Sequence, residues 1–191
     1  AYGSIRMEPV FIVLSQSAAV AAVEAVNGKM PVQDINIKKV QEELLRNPLA
    51  DNSTPEILVD NNDATHVTKK GNWSIGTKGC YGPSMFVHDN GDLNEGWVKF
   101  KPAIVKAGEY KVYSYFPKLD HATEKTVVTV NGKETIIRDA TVRVEGQTSG
   151  EWVLLGKYNL KKGTENEVMI STRLSDGRVV ADAILFVPAF K

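Results

Sequence analysis

Tyr113 and Tyr115 are the side chains whose type and spacing most readily suggest recognition chemistry. They lie in Gly108-Glu109-Tyr110-Lys111-Val112-Tyr113-Ser114-Tyr115-Phe116-Pro117, which opens on a turn glycine, closes on a proline and is rich in aromatic and β-branched residues, so it predicts a strand. Side chains alternate across a strand, which puts Tyr110, Val112, Ser114 and Phe116 on one face and Glu109, Lys111, Tyr113 and Tyr115 on the other. The first set should look into a core. The second mixes charge with rings that can stack on the apolar C–H faces of pyranose sugars, while neighbouring polar groups fix the orientation. Lys111, Glu109 and His121 of the loop Lys118-Leu119-Asp120-His121 could supply those groups. The competing expectation is that both tyrosines are covered, by the helices of residues 8–46 or by a second sheet, since aromatic residues are mostly buried. Trp73 and Tyr81 flank the glycine-rich stretch 71–82 and could line a pocket at a loop end, with core packing the favoured alternative. Trp97 and Trp152 are expected in the core, their indole N–H groups on backbone partners.

Catalytic arrangements are weak. His66, His88 and His121 are isolated, with no H-x-x-x-H or C-x-x-C spacing. Gly71-Asn72-Trp73-Ser74-Ile75-Gly76 has its serine one place late for a nucleophile elbow. Tyr113, His121 and Lys118 could be assembled into a lyase site, but only composition speaks for it, and no catalytic residue is assigned. Two acidic loops could take calcium: Asp60-Asn61-Asn62-Asp63, and Asp89-Asn90-Gly91-Asp92-Leu93-Asn94-Glu95, whose Asp89, Asp92 and Glu95 are the metal candidates. Turn-forming Asx residues account for both loops without a metal and are the preferred reading. Asp182 stands in an otherwise apolar run, 179–187, and a buried carboxylate there needs hydrogen-bond donors.

These side chains must be positioned by the elements around them. From Ile57 onward the hydrophobic period is two, predicting strands at 57–60, 96–100, 109–116, 126–130, 134–138, 151–160, 167–173 and 179–187. Asn131-Gly132 between two of them signals a hairpin with a type I′ turn. Many short strands separated by glycine turns predict a mainly β, jelly-roll-like sandwich over 57–191. Ahead of it the pattern is helical. Residues 8–26 have no internal glycine, end at Asn27-Gly28 and are apolar round nearly the whole circumference, so this helix should be buried inside something larger. A second, amphipathic helix should follow a cap at Asp34 or Asn36 and end at Asn47-Pro48, which makes 1–48 a two-helix segment and 49–56 a linker.

With 191 residues there is enough chain for one good core plus an appendage. Twenty-three basic residues balance twenty-three acidic ones, so no global field recruits nucleic acid or an anionic membrane surface. Cys80 is the only cysteine, which rules out an internal disulfide. Ser15, Gln16, Ser17 and Glu24 make the first helix a poor membrane span. The start at Ala1 looks like a cut end and leaves the cell compartment hidden.

Two resemblances sharpen this reading. Arg6-Met7-Glu8-Pro9-Val10-Phe11-Ile12-Val13-Leu14-Ser15-Gln16-Ser17-Ala18-Ala19-Val20-Ala21-Ala22, with Val32-Gln33-Asp34-Ile35 after it, resembles the closing segment of bacterial FAD-dependent oxidoreductases. That resemblance implies a domain end whose helix start points at a flavin. Ser15 and Ala19 stand where the family usually has glycine, and the chain has no G-x-G-x-x-G, only Gly76, Gly79 and Gly82 in a loop. FAD is therefore expected in a fuller parent protein and no cofactor in this chain. Over 57–188, the ordered blocks Val59-Asp60-Asn61-Asn62-Asp63, Gly71-Asn72-Trp73, Gly79-Cys80-Tyr81-Gly82, Gly96-Trp97, Ala107-Gly108-Glu109-Tyr110, Trp152-Val153-Leu154-Leu155-Gly156 and Val180-Ala181-Asp182-Ala183 are similar to the golvesin/xanthan-lyase carbohydrate-binding-like domain. This implies an accessory β-sandwich that binds polysaccharide, in an extracytoplasmic setting. The alternatives are a structural domain that docks on its parent oxidoreductase and a fragment of a xanthan-lyase-type enzyme. The apolar first helix should settle on the sandwich or on a second copy of the chain, giving a homodimer.

Overall fold

A computed structural model of the chain describes residues 7–48, 51–89, 95–138 and 150–189. The chain divides into two units, 1–55 and 56–191.

In the first unit, α1 (Met7–Gly28) is followed by a 3-10 turn (Val32–Asp34) and α2 (Ile37–Arg46). The left-handed residue that closes α1 is Lys29 (φ 50°), one place beyond the expected glycine stop. Asn36 is the cap of α2, its side chain accepting the Lys38 N–H at 3.0 Å. The helices meet through Ala25 and Val40, both buried, and a Glu24–Lys39 ion pair of 3.2 Å. Phe11, Ile12, Val13, Leu14, Val23 and Val26 stay more than half exposed. The expected burial of this helix is thus not met, because a ten-residue partner covers only one stripe of a cylinder that is apolar all round. By length and composition Phe11–Gly28, of mean hydropathy 1.4, would reach across a membrane.

The second unit is all strand. A four-stranded antiparallel sheet has the order β1 (Ile57–Asp60), β12 (Ala183–Pro188), β6 (Gly108–Pro117), β9 (Gly150–Leu160). A five-stranded antiparallel sheet has the order β2 (Val67–Lys70), β5 (Trp97–Phe100), β10 (Val168–Ser171), β7 (Lys125–Val130), β8 (Lys133–Arg138). A small third sheet joins β11 (Val179–Ala181), β4 (Met85–His88) and β3 (Ser74–Gly76). One continuous core gathers Val59, Tyr110, Val112, Phe116, Ile184 and Phe186 of the first sheet with Val98, Phe100, Val128, Val130, Val168 and Ile170 of the second. This is the sandwich that period-two alternation predicts. The β7–β8 hairpin turns at Asn131 (φ 46°) and Gly132 (φ 82°), both left-handed as a type I′ turn requires.

Two departures from the sequence reading matter for the site. The run 179–187 is two strands: β11 pairs with β4 in the small sheet, whereas β12 pairs with β1 and β6. Asp182 is the break between them. β2, β3 and β4 were not anticipated. β2 and β3 are edge strands of four and three residues with mostly exposed side chains, too short and too polar to show a period.

Candidate functional site

β6 is a central strand and its outer face carries the candidate residues. Ser114 and Tyr110 look inward and are fully buried, as alternation dictates. On the opposite face the register builds a row across the whole sheet: Leu58 opposes Leu185, Leu185 opposes Tyr113, and Tyr113 opposes Leu154. All four are at least partly open to solvent, Leu58 and Leu154 by 41% and 48%. The next row is basic, Lys111 opposing Lys157, and Lys157 reaches Glu109 at 3.6 Å. A β-bulge sets these rows side by side. Val112 opposes Gly156 while Tyr113 opposes Leu154, so Leu155 is the extra residue and turns into the core. Gly156 takes φ 146°, a conformation an L side chain resists.

Beyond Tyr113 the face closes. The loop before β4 brings Tyr81 onto Tyr115 and Trp152, with ring centroids 5.7 and 5.1 Å apart, and Tyr115 meets Trp152 at 5.4 Å. All three contacts are edge-to-face, the arrangement the ring quadrupoles favour. The cost falls on Tyr115, which is only 9% exposed, whereas Tyr81 is 47% exposed. Of the two tyrosines expected to act together, Tyr113 is half-buried and Tyr115 serves as the packing floor for Tyr81 and Trp152.

Trp73 lies elsewhere. It is buried, its Nε1 donates to the Lys70 carbonyl at 2.9 Å, and its ring meets His88 edge-on at 5.2 Å. Its ring offers no face to a ligand, and the core alternative describes it. Trp97 and Trp152, by contrast, are half-buried on outer faces rather than in the core, and Lys99 Nζ stands 5.3 Å over the Trp97 ring.

His121 belongs to a second surface, at the loop end of the sandwich. Exposed and left-handed (φ 58°), it lines a cleft of about 600 Å³ with Asp89, Glu124, Asp176 and Arg178. Asp89 and Arg178 also line an adjoining cleft of about 400 Å³ with Lys78, Lys118, Asp120 and Ile75. Arg178 Nε donates to Asp89 Oδ1 at 2.7 Å. The Thr123 hydroxyl and the Glu124 N–H bind Asp176 and hold its carboxyl below the usual carboxylate range. The structure therefore unites Tyr113, Lys111, Tyr81 and Tyr115 on one face and sets His121 with Asp89 apart from them. Asp92 lies outside the described residues, and Glu95 is exposed. Among the described residues, no cluster of three His, Cys, Asp or Glu side chains could hold a metal.

Asp182, expected to need donors, finds one. It is fully buried, and Oδ2 accepts the Tyr81 N–H at 2.9 Å. Burial, with the Asp60 charge adding to it, pushes its carboxyl up to about 7 against the single hydrogen bond that lowers it. The sequence reading missed Trp152, Leu154, Leu58, Leu185, Lys157 and Arg178 as surface residues. Leu154 and Lys157 could have been found only by recognising Gly156 as a bulge glycine.

In the helical unit, α1 and α2 border an open groove of about 500 Å³ lined by Ala19, Val20, Val23, Glu24, Lys39, Val40 and Glu43. Two carboxylates stand at its margin, and Lys39, its one cation, is paired with Glu24. These residues do not fit a flavin dinucleotide, whose pyrophosphate wants backbone N–H groups or free cations.

Residues 57–188 match the family model described as Golvesin C-terminal domain, and residues 1–44 match that of FAD dependent oxidoreductase. A xanthan lyase of Bacillus sp. (strain GL1) is 31% identical over 138 residues, covering 70% of this chain. The chain spans 15% of the length of that enzyme. The solved structure of Paenibacillus xanthan lyase superposes with a TM-score of 0.58 at 30% identity, over 71% of this chain and 13% of that one. A family 35 carbohydrate binding module from Clostridium thermocellum, 17% identical, superposes with a TM-score of 0.50 over 71% of this chain and all of the module, a likeness of fold alone.

Proposed function

From the premise that the chain belongs to the Golvesin C-terminal domain family over residues 57–188, we propose that its strand-built unit is a non-catalytic accessory module that binds polysaccharide on behalf of a bacterial enzyme. The observation that carries this reading is the outer face of the four-stranded sheet. There a partly accessible tyrosine, Tyr113, sits between Leu185 and Leu154, with Lys111 and Lys157 along one side and the Tyr81–Trp152 pair along the other. The sheet face gives a saccharide chain a platform, Tyr113 and Trp152 offer C–H-stacking surface, and the lysines offer donors to hydroxyl or carboxylate oxygens. The relative named for its action on xanthan supports the ligand class. Its lyase activity is not carried over, since the chain spans only 15% of that enzyme. The same relationship supports a setting outside the cytoplasm.

A second reading has its own support. Leu58, Leu185 and Leu154 are aliphatic, and the match of residues 1–44 to an oxidoreductase family supplies a partner domain on which such a row could dock. Calorimetric titration with a panel of neutral and acidic bacterial polysaccharides separates the two. Binding that weakens about tenfold in Tyr113→Ala, a loss of about 1.4 kcal/mol, and is unchanged in Ile136→Ala on the other sheet, supports the module. Silence across the panel, together with loss of stability of the parent oxidoreductase when 56–191 is deleted, favours docking.

A further inference from the structure

Asp182 stands where the chain leaves the small sheet and enters the large one, and half of its carboxylate is unaccounted for. Oδ2 takes the Tyr81 N–H at 2.9 Å, while Oδ1, just as buried, has no hydrogen-bond partner. An orphaned oxygen of this kind is costly and rare. A second carboxylate lies beside it. Asp60 ends β1 opposite Ala183, and the Asn61 N–H binds the Asp182 carbonyl at 2.8 Å. Asp60 accepts through Oδ1, from the N–H and the side-chain amide of Asn62 at 3.0 and 2.8 Å. With the Asn61 amide turned to satisfy both of its atoms, its nitrogen also reaches Asp60 Oδ1, at 3.2 Å, and the Ser84 carbonyl, at 2.6 Å.

That leaves Asp60 Oδ2, which faces the chain at Gly82, where a Cβ would come within 2.5 Å of it. The two carboxylates therefore meet the same loop at neighbouring residues, Tyr81 and Gly82: Asp182 Oδ1 is buried without a partner, and Asp60 Oδ2 takes no hydrogen bond from the described residues. Neither pairs with a Lys, Arg or His among the described residues. Two acids this close tolerate one another only if one keeps its proton or a cation compensates both.

We propose that Asp182 Oδ1 and Asp60 Oδ2 are ligands of a hard divalent cation of the calcium type, which fastens the first and last strands of the sandwich to the loop 79–84. Calcium takes six to eight oxygens, so main-chain carbonyls of that loop and water complete the shell. Gly82 keeps the loop close enough to do so. The site is separate from the sheet face and would act on it indirectly, because the loop it anchors carries Tyr81.

The test is thermal unfolding of the 191-residue chain after chelation and dialysis, with calcium or magnesium then titrated in and the metal content of the undialysed protein measured. Calcium should raise the midpoint by roughly 5 °C or more at a hundredfold excess over its dissociation constant, and magnesium by less. The shift should vanish in Asp182→Asn, shrink in Asp60→Asn, and weaken at pH 5, where protons compete for the same oxygens. No shift with either ion in a folded wild-type chain overturns the proposal, as does a calcium shift of equal size in both variants. Should Asp182→Asn fail to fold, the Asp60→Asn comparison decides.

Discussion

A buried acid with one donor adds to this molecule's pH response a contribution opposite in sign to that of its other shifted carboxylates. The folded-state pKa of Asp182, about 7, lies above the ~3.9 of an unfolded chain. The folded state therefore binds the proton more tightly. Its contribution to stability is fully present below about pH 4, is lost as pH rises toward 7, and is flat beyond. Other carboxylates act in the opposite sense: Asp176, held down by Thr123, loses its stabilising bond as pH falls. The comparison that isolates Asp182 is wild type against Asp182→Asn in chelated buffer. The variant should gain on the wild type between pH 5 and pH 8, since an amide carries no charge to bury. Parallel pH profiles for the two proteins would mean that the carboxyl is solvated and the account of its burial is wrong. Trp73 shows how a single residue's neighbourhood outweighs its type. Its glycine-rich setting suggests a loop-end pocket, yet the Lys70 carbonyl and His88 draw the indole inward.

Among the elements, the β7–β8 hairpin gives the cleanest test of local conformation. Gly132 is left-handed at φ 82°, and a Cβ there would meet nothing within 4 Å. Gly132→Ala thus changes backbone preference and not packing, and should cost about 1 kcal/mol, read from denaturant midpoints with an unchanged slope. A neutral substitution would show that the turn is not type I′ in solution. The same hairpin was legible in the sequence because Asn-Gly is a local signal. So was the inward face of β6, where Tyr110, Val112, Ser114 and Phe116 are all buried. What escaped was long-range. Tyr115 is covered by Tyr81 and Trp152, which arrive from distant segments, so no reading of its own strand could foresee its burial. β2 has one apolar residue in Val67-Thr68-Lys69-Lys70, and edge strands carry little periodicity because one side faces water. The run 179–187 looked like one strand because propensity is blind to which sheet a residue joins. Asp182 was the visible interruption, and the polarity of that one position was its only trace.

At the scale of the whole chain, two units of unlike character share one polypeptide. Residues 56–191 close a core between two sheets, while 1–55 keeps the apolar girth of α1 largely in water. Phe11, Ile12, Val13 and Leu14 ring one full turn of α1 at more than half exposure, and Val23 and Val26 are as exposed near the other end. Patches of this extent are unusual on monomers, and hydrophobic burial is the largest force available to remove them. The expected outcome is concentration-dependent association of the 191-residue chain, seen as a mass above one copy in size-exclusion chromatography with light scattering. The 56–191 piece alone should run as a monomer and melt in one cooperative step. Val13→Glu with Val23→Lys should return the longer chain toward monomer without moving the melting midpoint of the sandwich, because both positions belong to the helical unit. If the 191-residue chain is instead a clean monomer whose amides in 11–26 exchange rapidly, α1 is not held by a second copy. The surface it offers is then left for the rest of an oxidoreductase domain, of which residues 1–44 carry the family signature.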